Sequence, residues 1–274
     1  MRPPAAIETS RPRRTLALLP ARVRAMRRPK WWQEIAFIAI CYWLYSLVRN
    51  AVPSHAAAAR SRADDIIAFE HSLRVGVEQS LNAFVARTDW LAYVCNYYYA
   101  TLHFVVTIAV LVWIYVKHPL RYRSIRSVLF ATNIIALIGF WTYALAPPRM
   151  FTGRGFVDTV AAFHTWGSYA SGDMAKASNQ FAAMPSLHVG WSLWCAIAIV
   201  ALAERWWVRT LGVLYPCATV FVIIGTANHF VLDAVGGVAA LALGFAVQRL
   251  LSGRPAFAAP TVATLHPSEL AAAA

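Results

Sequence analysis

Residues 229–248 read HFVLDAVGGVAALALGFAVQ, and this run decides the fold. It has the length of a helix that crosses the hydrocarbon core of a bilayer, for which about 20 residues are needed. Its only ionisable side chains, His229 and Asp233, lie at its start. Ionisable residues at membrane depth are costly and are usually functional. The run therefore predicts a membrane-spanning helix with two functional side chains at one end.

The composition of the whole chain agrees with a membrane protein. Of its 274 residues, 59% are hydrophobic and 14% are charged, whereas soluble domains carry about 25% charged residues. Five further apolar runs are long enough to cross a bilayer. They cover about residues 31–52, 90–116, 125–146, 186–203 and 206–225. We therefore predict an all-α, polytopic membrane protein, with six transmembrane helices in one bundle over residues 31–250.

The two ends of the chain differ from this domain. Nine of the 25 Lys and Arg residues lie in residues 1–30, and no aromatic residue is interleaved with them. A basic arm before an apolar run is typical of a cytoplasmic anchor that contacts membrane lipids, and the missing aromatics argue against nucleic acid as a partner. Residues 251–274 are rich in Ala and Pro, which predicts a disordered tail.

The distribution of Lys and Arg between the predicted spans indicates their orientation. The 117–126 connection carries four basic residues and no acidic one, whereas the 53–89 connection carries four basic and five acidic residues. We therefore expect both termini in the cytoplasm and the 53–89 and 147–185 connections outside. The Ala- and Arg-rich composition is typical of a GC-rich bacterium, so the membrane is predicted to be a bacterial plasma membrane.

Residues 60–89 are too charged to span a membrane. Their apolar residues, from Ile66 to Val85, recur near helical spacing with charges between them. This pattern predicts an amphipathic helix on the outer membrane surface. A helix packed on the bundle is the compatible alternative.

Four polar residues that are far apart in sequence converge at one depth in this topology. Arg149 ends the third span, His188 begins the fourth, and His229 and Asp233 begin the sixth, all on the outer side. We predict His229 and Asp233 to be i and i+4 on one helix, so that the carboxylate fixes the imidazole tautomer. Ser186 and His188 lie at a helix start, which favours an anion.

Two histidines, a carboxylate and an arginine suit phosphoryl transfer through a phosphohistidine. One histidine attacks phosphorus, the other protonates the leaving oxygen, and Arg149 grips the phosphate oxygens. Two alternatives remain open. The histidines and Asp233 resemble a facial metal triad, although Arg149 would then lie beside a cation, and a polar cluster could also line a transport path.

Three further residues are candidates for the pocket. Lys176 lies in the outer connection, where a solvated role is favoured, and Asn228 precedes His229. His103 lies in the middle of the second span. For His103 a hydrogen-bonded interhelical role is favoured over a place in the pocket.

At these residues the sequence resembles the type 2 phosphatidic acid phosphatase superfamily, and within it the inositol phosphorylceramide synthase-like branch. The matching stretches are APPRM at 146–150, FAAMPSLH at 181–188 and NHFVLDAVGG at 228–237. The resemblance implies that His229 is the nucleophile, that Asp233 orients it and that His188 is the general acid and then the base. It also implies that Arg149 and Ser186 hold the phosphate, and that no metal or cofactor is needed.

The sequence departs from the wider superfamily at three positions. Leu187 replaces the glycine of a Pro-Ser-Gly-His motif, Thr142 stands where a lysine is expected, and Ile223 stands where an arginine is expected. These departures match the transferase-like branch, so the resemblance implies transfer of a head group, such as phosphoinositol, from a lipid phosphoester to a hydroxyl. The alternatives are a lipid phosphate or polyprenyl diphosphate phosphatase that uses water, and a non-catalytic membrane protein or transporter. Donor, acceptor and oligomeric state stay open.

Overall fold

The structure is a computed structural model of the chain. It describes residue 18 and residues 29–51, 56–165 and 180–259. Most of the basic arm, Lys176 and the end of the predicted tail lie outside these residues. Within the described ranges the fold is all-α, as predicted, and the only strand-like pairing is an isolated bridge between Leu145 and Ala182.

Helices and short helical turns make up the described chain. In order they are α1 (Trp31–Asn50), α2 (Ala56–Ser72), α3 (Glu78–Ala86), α4 (Asp89–Lys117), α5 (Pro119–Thr142), 3-10 turns at Pro148–Met150 and Thr152–Arg154, α6 (Thr159–Ala162), α7 (Leu187–Leu202), α8 (Trp206–Gly225) and α9 (Val231–Ser252).

Four of the six predicted spans are helices long and apolar enough to cross a membrane, namely α4, α5, α8 and α9. The other two predicted spans do not meet this description. The helix α7 is apolar but has only 16 residues, fewer than the roughly 20 that a perpendicular span needs. The helix α1 has 20 residues, but its first turn carries Gln33 and Glu34, which dilute the apolar run.

The single amphipathic helix predicted over 60–89 is wrong, because the segment forms two helices. A turn between α2 and α3 breaks it, with Arg74 in a left-handed conformation (φ 58°) and Gly76 two residues later. Glu70 and Glu78 are buried, which differs from the solvated polar face of such a helix.

The bundle is held by close packing between helices that are distant in sequence. The most extensive pairs are α5 with α9 and α7 with α8. A Cβ atom on Gly244 of α9 would overlap the Thr132 hydroxyl of α5, so glycine lets these two helices touch. Between them the fully buried Trp194 of α7 donates its indole N–H to the Ile125 carbonyl of α5 at 3.0 Å.

The helix α1 is fastened to α5 by a buried charge. Glu34 is 6% exposed, forms an ion pair with Arg126 and accepts a hydrogen bond from the Tyr122 hydroxyl at 3.0 Å. These partners satisfy a carboxylate that would otherwise be costly to bury.

At the C-terminal end of the described residues, α9 continues to Ser252, and Ala256 beyond it packs into the core.

Candidate active site

The turn before α9 presents His229 to a buried carboxylate. Asp233 is 0% exposed, and its Oδ2 lies 3.1 Å from Nδ1 of His229. The same oxygen accepts the Phe230 backbone N–H at 2.9 Å. Because α9 begins at Val231, His229 precedes the helix, and the prediction of both residues on one helix is wrong. The contact exists nevertheless, and it leaves Nε2 of His229 free of this carboxylate.

The first turn of α7 lies directly against this pair. The Ser186 backbone N–H donates to the Asp233 carbonyl at 2.9 Å. A Cβ atom on Gly237 would overlap the Ser186 carbonyl oxygen, so the close approach requires glycine there. As a result the rings of His188 and His229 lie 5.7 Å apart between centroids. The structure thus brings together two histidines that are 41 residues apart in the sequence.

A third histidine completes the cluster. The ring of His103 on α4 lies 4.3 Å from that of His188, and the ring of Tyr99 stacks on His188 at the same distance. Both side chains lie at a π-helical turn, Tyr98–Leu102, inside α4. Turns of this kind are frequent at functional sites. The structure therefore places the ring of His103 in an interhelical contact with that of His188, so the interhelical role and a place beside the histidine pair go together.

Several buried polar atoms in this cluster have no hydrogen-bond partner within the described part of the chain. They are the Ser186 hydroxyl, Nε2 of His188, Oδ1 of Asp233 and Nδ1 of His103. Buried polar atoms are nearly always satisfied in folded proteins. Four unsatisfied atoms around one pair of histidines are therefore what a site for a polar ligand would show.

Arg149 reaches the site through Asn228. Its backbone N–H donates to the Ala227 carbonyl at 2.8 Å, and its guanidinium donates to Oδ1 of Asn228 at 2.6 Å. Asn228 in turn donates to the Thr226 hydroxyl at 2.8 Å. Arg149 is also 4.0 Å from Asp158. This arrangement holds the guanidinium of Arg149 beside Asn228, the residue that precedes His229.

Thr142 and Ile223, which stand where the superfamily has cations, make other contacts here. Thr142 is exposed, and its hydroxyl donates to the Ile138 carbonyl of the same helix at 2.8 Å. Ile223 is 0% exposed, and its carbonyl accepts the His229 backbone N–H at 3.1 Å. Ile223 therefore supports the turn that carries His229 instead of supplying charge.

Arg49 at the end of α1 interacts electrostatically with His188, and the sequence analysis did not predict this.

Two acidic residues near the site were also missed. The side chains of Glu70 and Glu78 bond to the first turn of α9. Their sequence spacing gives no hint of this, since their partners are more than 150 positions away. Within the described residues no group of three His, Cys, Asp or Glu side chains is arranged to hold a metal ion.

An apolar groove begins at the first turns of α7 and α9. It has a volume of about 880 Å³ and runs between α7, α8 and α9. Val189, which follows His188, and Val231, two residues after His229, line the groove, which also reaches Val200 and Val238 further along α7 and α9. A hydrocarbon chain in this groove would begin beside the polar cluster.

Comparison with known proteins identifies the family. The family model of the PAP2 superfamily matches residues 64–247, a range that includes the site residues described above except Arg49. No curated protein matches the chain, and no solved structure does. The matched range covers more than half of the chain and supports an integral membrane protein. The chain therefore belongs to the PAP2 superfamily and is an enzyme of the phosphatase or phosphotransferase type.

Proposed function

We propose that this protein transfers a phosphoryl-linked head group from a lipid phosphoester to a hydroxyl acceptor through a phosphohistidine on His229. The observation that carries the proposal is the pair of facing histidines, 5.7 Å apart between ring centroids. One of them is oriented by a buried aspartate, and unsatisfied polar atoms surround both.

The first half-reaction follows from the tautomer that Asp233 imposes. With Nδ1–H of His229 donated to the carboxylate, Nε2 carries a lone pair and can attack phosphorus. The bond from phosphorus to the leaving oxygen breaks, and a protonated His188 gives its proton to that oxygen. The product is a phosphoryl group bonded to Nε2 of His229, together with a neutral His188.

The second half-reaction reverses these roles. The neutral His188 takes the proton of the acceptor hydroxyl as its oxygen attacks phosphorus, and the bond to Nε2 of His229 breaks. Arg149 and the first turn of α7, with Ser186, hold the phosphate oxygens in both steps. Catalysis then rests on positioning and on charge neutralisation.

Two features support a lipid substrate and a hydroxyl acceptor. The apolar groove beside the site, of about 880 Å³, suits hydrocarbon chains. His229 is only 5% exposed, and the aromatic rings of Tyr99 and Trp191 stand near the cluster. A site with little access to water favours transfer over hydrolysis. These features support our proposal that the chain belongs to the inositol phosphorylceramide synthase-like branch, with phosphoinositol as the first head group to test.

We further propose that the reaction takes place at the extracytoplasmic face of a bacterial plasma membrane, with both termini in the cytoplasm. The asymmetry of Lys and Arg between the connections supports this orientation. Labelling of single cysteines introduced at Asp65 and at Arg121 in intact cells tests it. Modification at position 65 and protection at position 121 are the expected results.

The reaction is tested by turnover in liposomes with phosphatidylinositol, phosphatidic acid and a polyprenyl diphosphate, each with and without a hydroxyl acceptor. A new phosphodiester that forms only with the acceptor, and is lost in His188→Ala and His229→Ala, is the expected result. Release of free phosphate that both substitutions abolish would instead establish the phosphatase alternative. If wild type and both variants show the same turnover of every lipid in the panel, the catalytic proposal is contradicted. The transporter alternative would then be favoured.

A further inference from the structure

The start of α9 is surrounded by carboxylates from three parts of the chain. Three consecutive backbone N–H groups each donate to one of them. Phe230 donates to Asp233 at 2.9 Å, Val231 to Glu78 at 2.9 Å and Leu232 to Glu70 at 2.8 Å. Free N–H groups at a helix start carry partial positive charge. The carboxylates of α2 and α3 thus complete the cap that Asp233 begins.

The two glutamates are buried next to each other. Glu70 is 1% exposed and Glu78 is 4% exposed, and they accept from the consecutive backbone N–H groups of Leu232 and Val231. Two neighbouring buried carboxylates repel each other, which favours a proton on one of them. That proton would also supply the donor that a pair of carboxylates lacks, so the geometry favours one shared proton and a single negative charge.

The surroundings of the pair favour this single charge. Burial, the neighbouring Glu78 and the charge of Asp233 together raise the pKa of Glu70 to about 8. The cations nearby do not neutralise the pair. Arg154 lines the small cavity beside it but is paired with Asp64 at 2.8 Å, and His71 of α2 is exposed.

The pair also fixes the position of whole elements. The turn at Arg74 to Gly76 reverses the chain so that Glu78 faces Glu70. The helix α3 is then fastened to α8, because Asn82 donates to the Gly225 carbonyl at 2.9 Å. Gly225 lies four residues before His229. A movement of α2 and α3 would therefore act on both sides of the turn that carries His229.

We infer that Glu70 and Glu78 are positioning residues, which share one proton and thereby hold the start of α9 so that His229 faces His188. This inference rests on the proposed function, because it concerns the same histidines. Loss of the shared proton would leave two adjacent carboxylates next to Asp233, and their repulsion would loosen the cap. Activity should then fall as the pH rises past the point where the proton leaves.

The sign of the stability effect follows from the direction of the pKa shift. A raised pKa in the folded protein means that the contribution is complete at low pH and is lost as pH rises towards about 8. Glu70→Gln removes this dependence, because the amide oxygen accepts from Leu232 and the amide N–H donates to Glu78 at every pH. Glu70→Ala instead leaves the Leu232 N–H without its acceptor and removes the neighbour of Glu78, which keeps only the bond from Val231.

The experiment compares full-length wild type, Glu70→Gln, Glu78→Gln and Glu70→Ala, with Asp65→Asn as the control that removes an exposed charge from α2. Thermal unfolding and turnover are measured between about pH 5 and about pH 9. We expect the melting temperature of both Gln variants, relative to wild type, to rise with pH across this range, while the Asp65→Asn difference stays flat. Wild-type turnover should fall above about pH 8, Glu70→Gln should keep the neutral rate without that fall, and Glu70→Ala should lose activity at every pH.

Two results would overturn the inference. One is a flat melting difference between the Gln variants and wild type. The other is failure of both Gln variants to fold, or to turn over substrate, while Asp65→Asn behaves normally. If wild type itself turns over no lipid phosphoester, the proposed function fails, and the unfolding data still decide whether the pair shares a proton.

Discussion

The first turns of α7 and α9 lie side by side, yet they differ in what accepts hydrogen bonds from the backbone N–H groups at the helix start. At α9 three carboxylates occupy three consecutive N–H groups. At α7 the first turn carries no acidic residue, and the Ser186 side chain makes no cap hydrogen bond. A helix start that is free of carboxylates can receive an anion, whereas one filled with carboxylates repels it.

In the proposed mechanism this difference separates two tasks within one site. The start of α9 holds the nucleophile, because the carboxylate that caps the helix also orients His229. The start of α7 remains available to the phosphate group, with the Ser186 hydroxyl and Nε2 of His188 both unsatisfied there. The distinction leads to four predictions, each of which alters one of the two helix starts or the arginine beside them.

The largest effect is expected from Asp233→Asn at the start of α9. The amide cannot hold the His229 tautomer as a carboxylate does, so turnover should fall by about 10³- to 10⁴-fold. Substrate affinity should change little, because Asp233 does not contact the phosphate in the proposed mechanism. Steady-state kinetics separate the two effects, and a rise in KM with unchanged kcat would contradict this role.

The second largest effect is expected from a substitution that gives the start of α7 a carboxylate, as the start of α9 has. Ser186→Asp places a carboxylate at the start of α7, where its charge would repel the phosphate by several kcal/mol. We expect at least about 100-fold lower kcat/KM for Ser186→Asp and only about tenfold for the control Ser186→Ala, which loses one hydrogen bond to the phosphate. Equal losses in the two variants would indicate that the hydroxyl, not the absence of charge, matters there.

Arg149→Ala tests the cation beside this pair of helix starts. Removal of hydrogen bonds from a charged donor costs about 1.5 to 3 kcal/mol, so kcat/KM should fall by about 10- to 100-fold. Arg149→Lys should recover part of the loss, since it restores the charge without the planar fork. Wild-type kinetics in Arg149→Ala would remove Arg149 from the phosphate site.

The smallest effect is expected from Asn228→Ala. This variant removes the acceptor that holds the Arg149 guanidinium at 2.6 Å but keeps the cation itself. A single hydrogen bond is worth about 1 kcal/mol, so kcat/KM should fall about fivefold. In Arg149→Ala the same substitution should have no further effect, and a full additive loss would show that Asn228 acts independently of Arg149.

The sequence predicts much of this site, because membrane depth limits where ionisable residues can lie. His188, His229 and Asp233 stand out as the polar ends of apolar runs, and their shared depth predicts that they meet. The histidine of α4 is harder to place. His103 directly follows a π-helical turn at Tyr98–Leu102, and no residue pattern predicts such a turn.

The cap at α9 could not be predicted for a different reason. Charges between apolar residues over 60–89 are typical of a solvated helix face, so Glu70 and Glu78 were expected to face water. Their partners are backbone N–H groups, which carry no sequence signal. Gly76 was the one available sign that the segment contains a turn. Two of the six predicted spans stay predictions, since an apolar run gives no indication that α7 stops after 16 residues.

The central claim is that His229 carries the phosphoryl group during turnover. It is tested most directly by rapid quenching of the enzyme with a substrate that is labelled at phosphorus, followed by peptide mapping. The account predicts label on the peptide that contains His229, stable in alkali and labile in acid as a phosphoramidate is, present in wild type and absent in His229→Ala. Turnover of the labelled substrate without any label on His229, under conditions in which product forms, would contradict it.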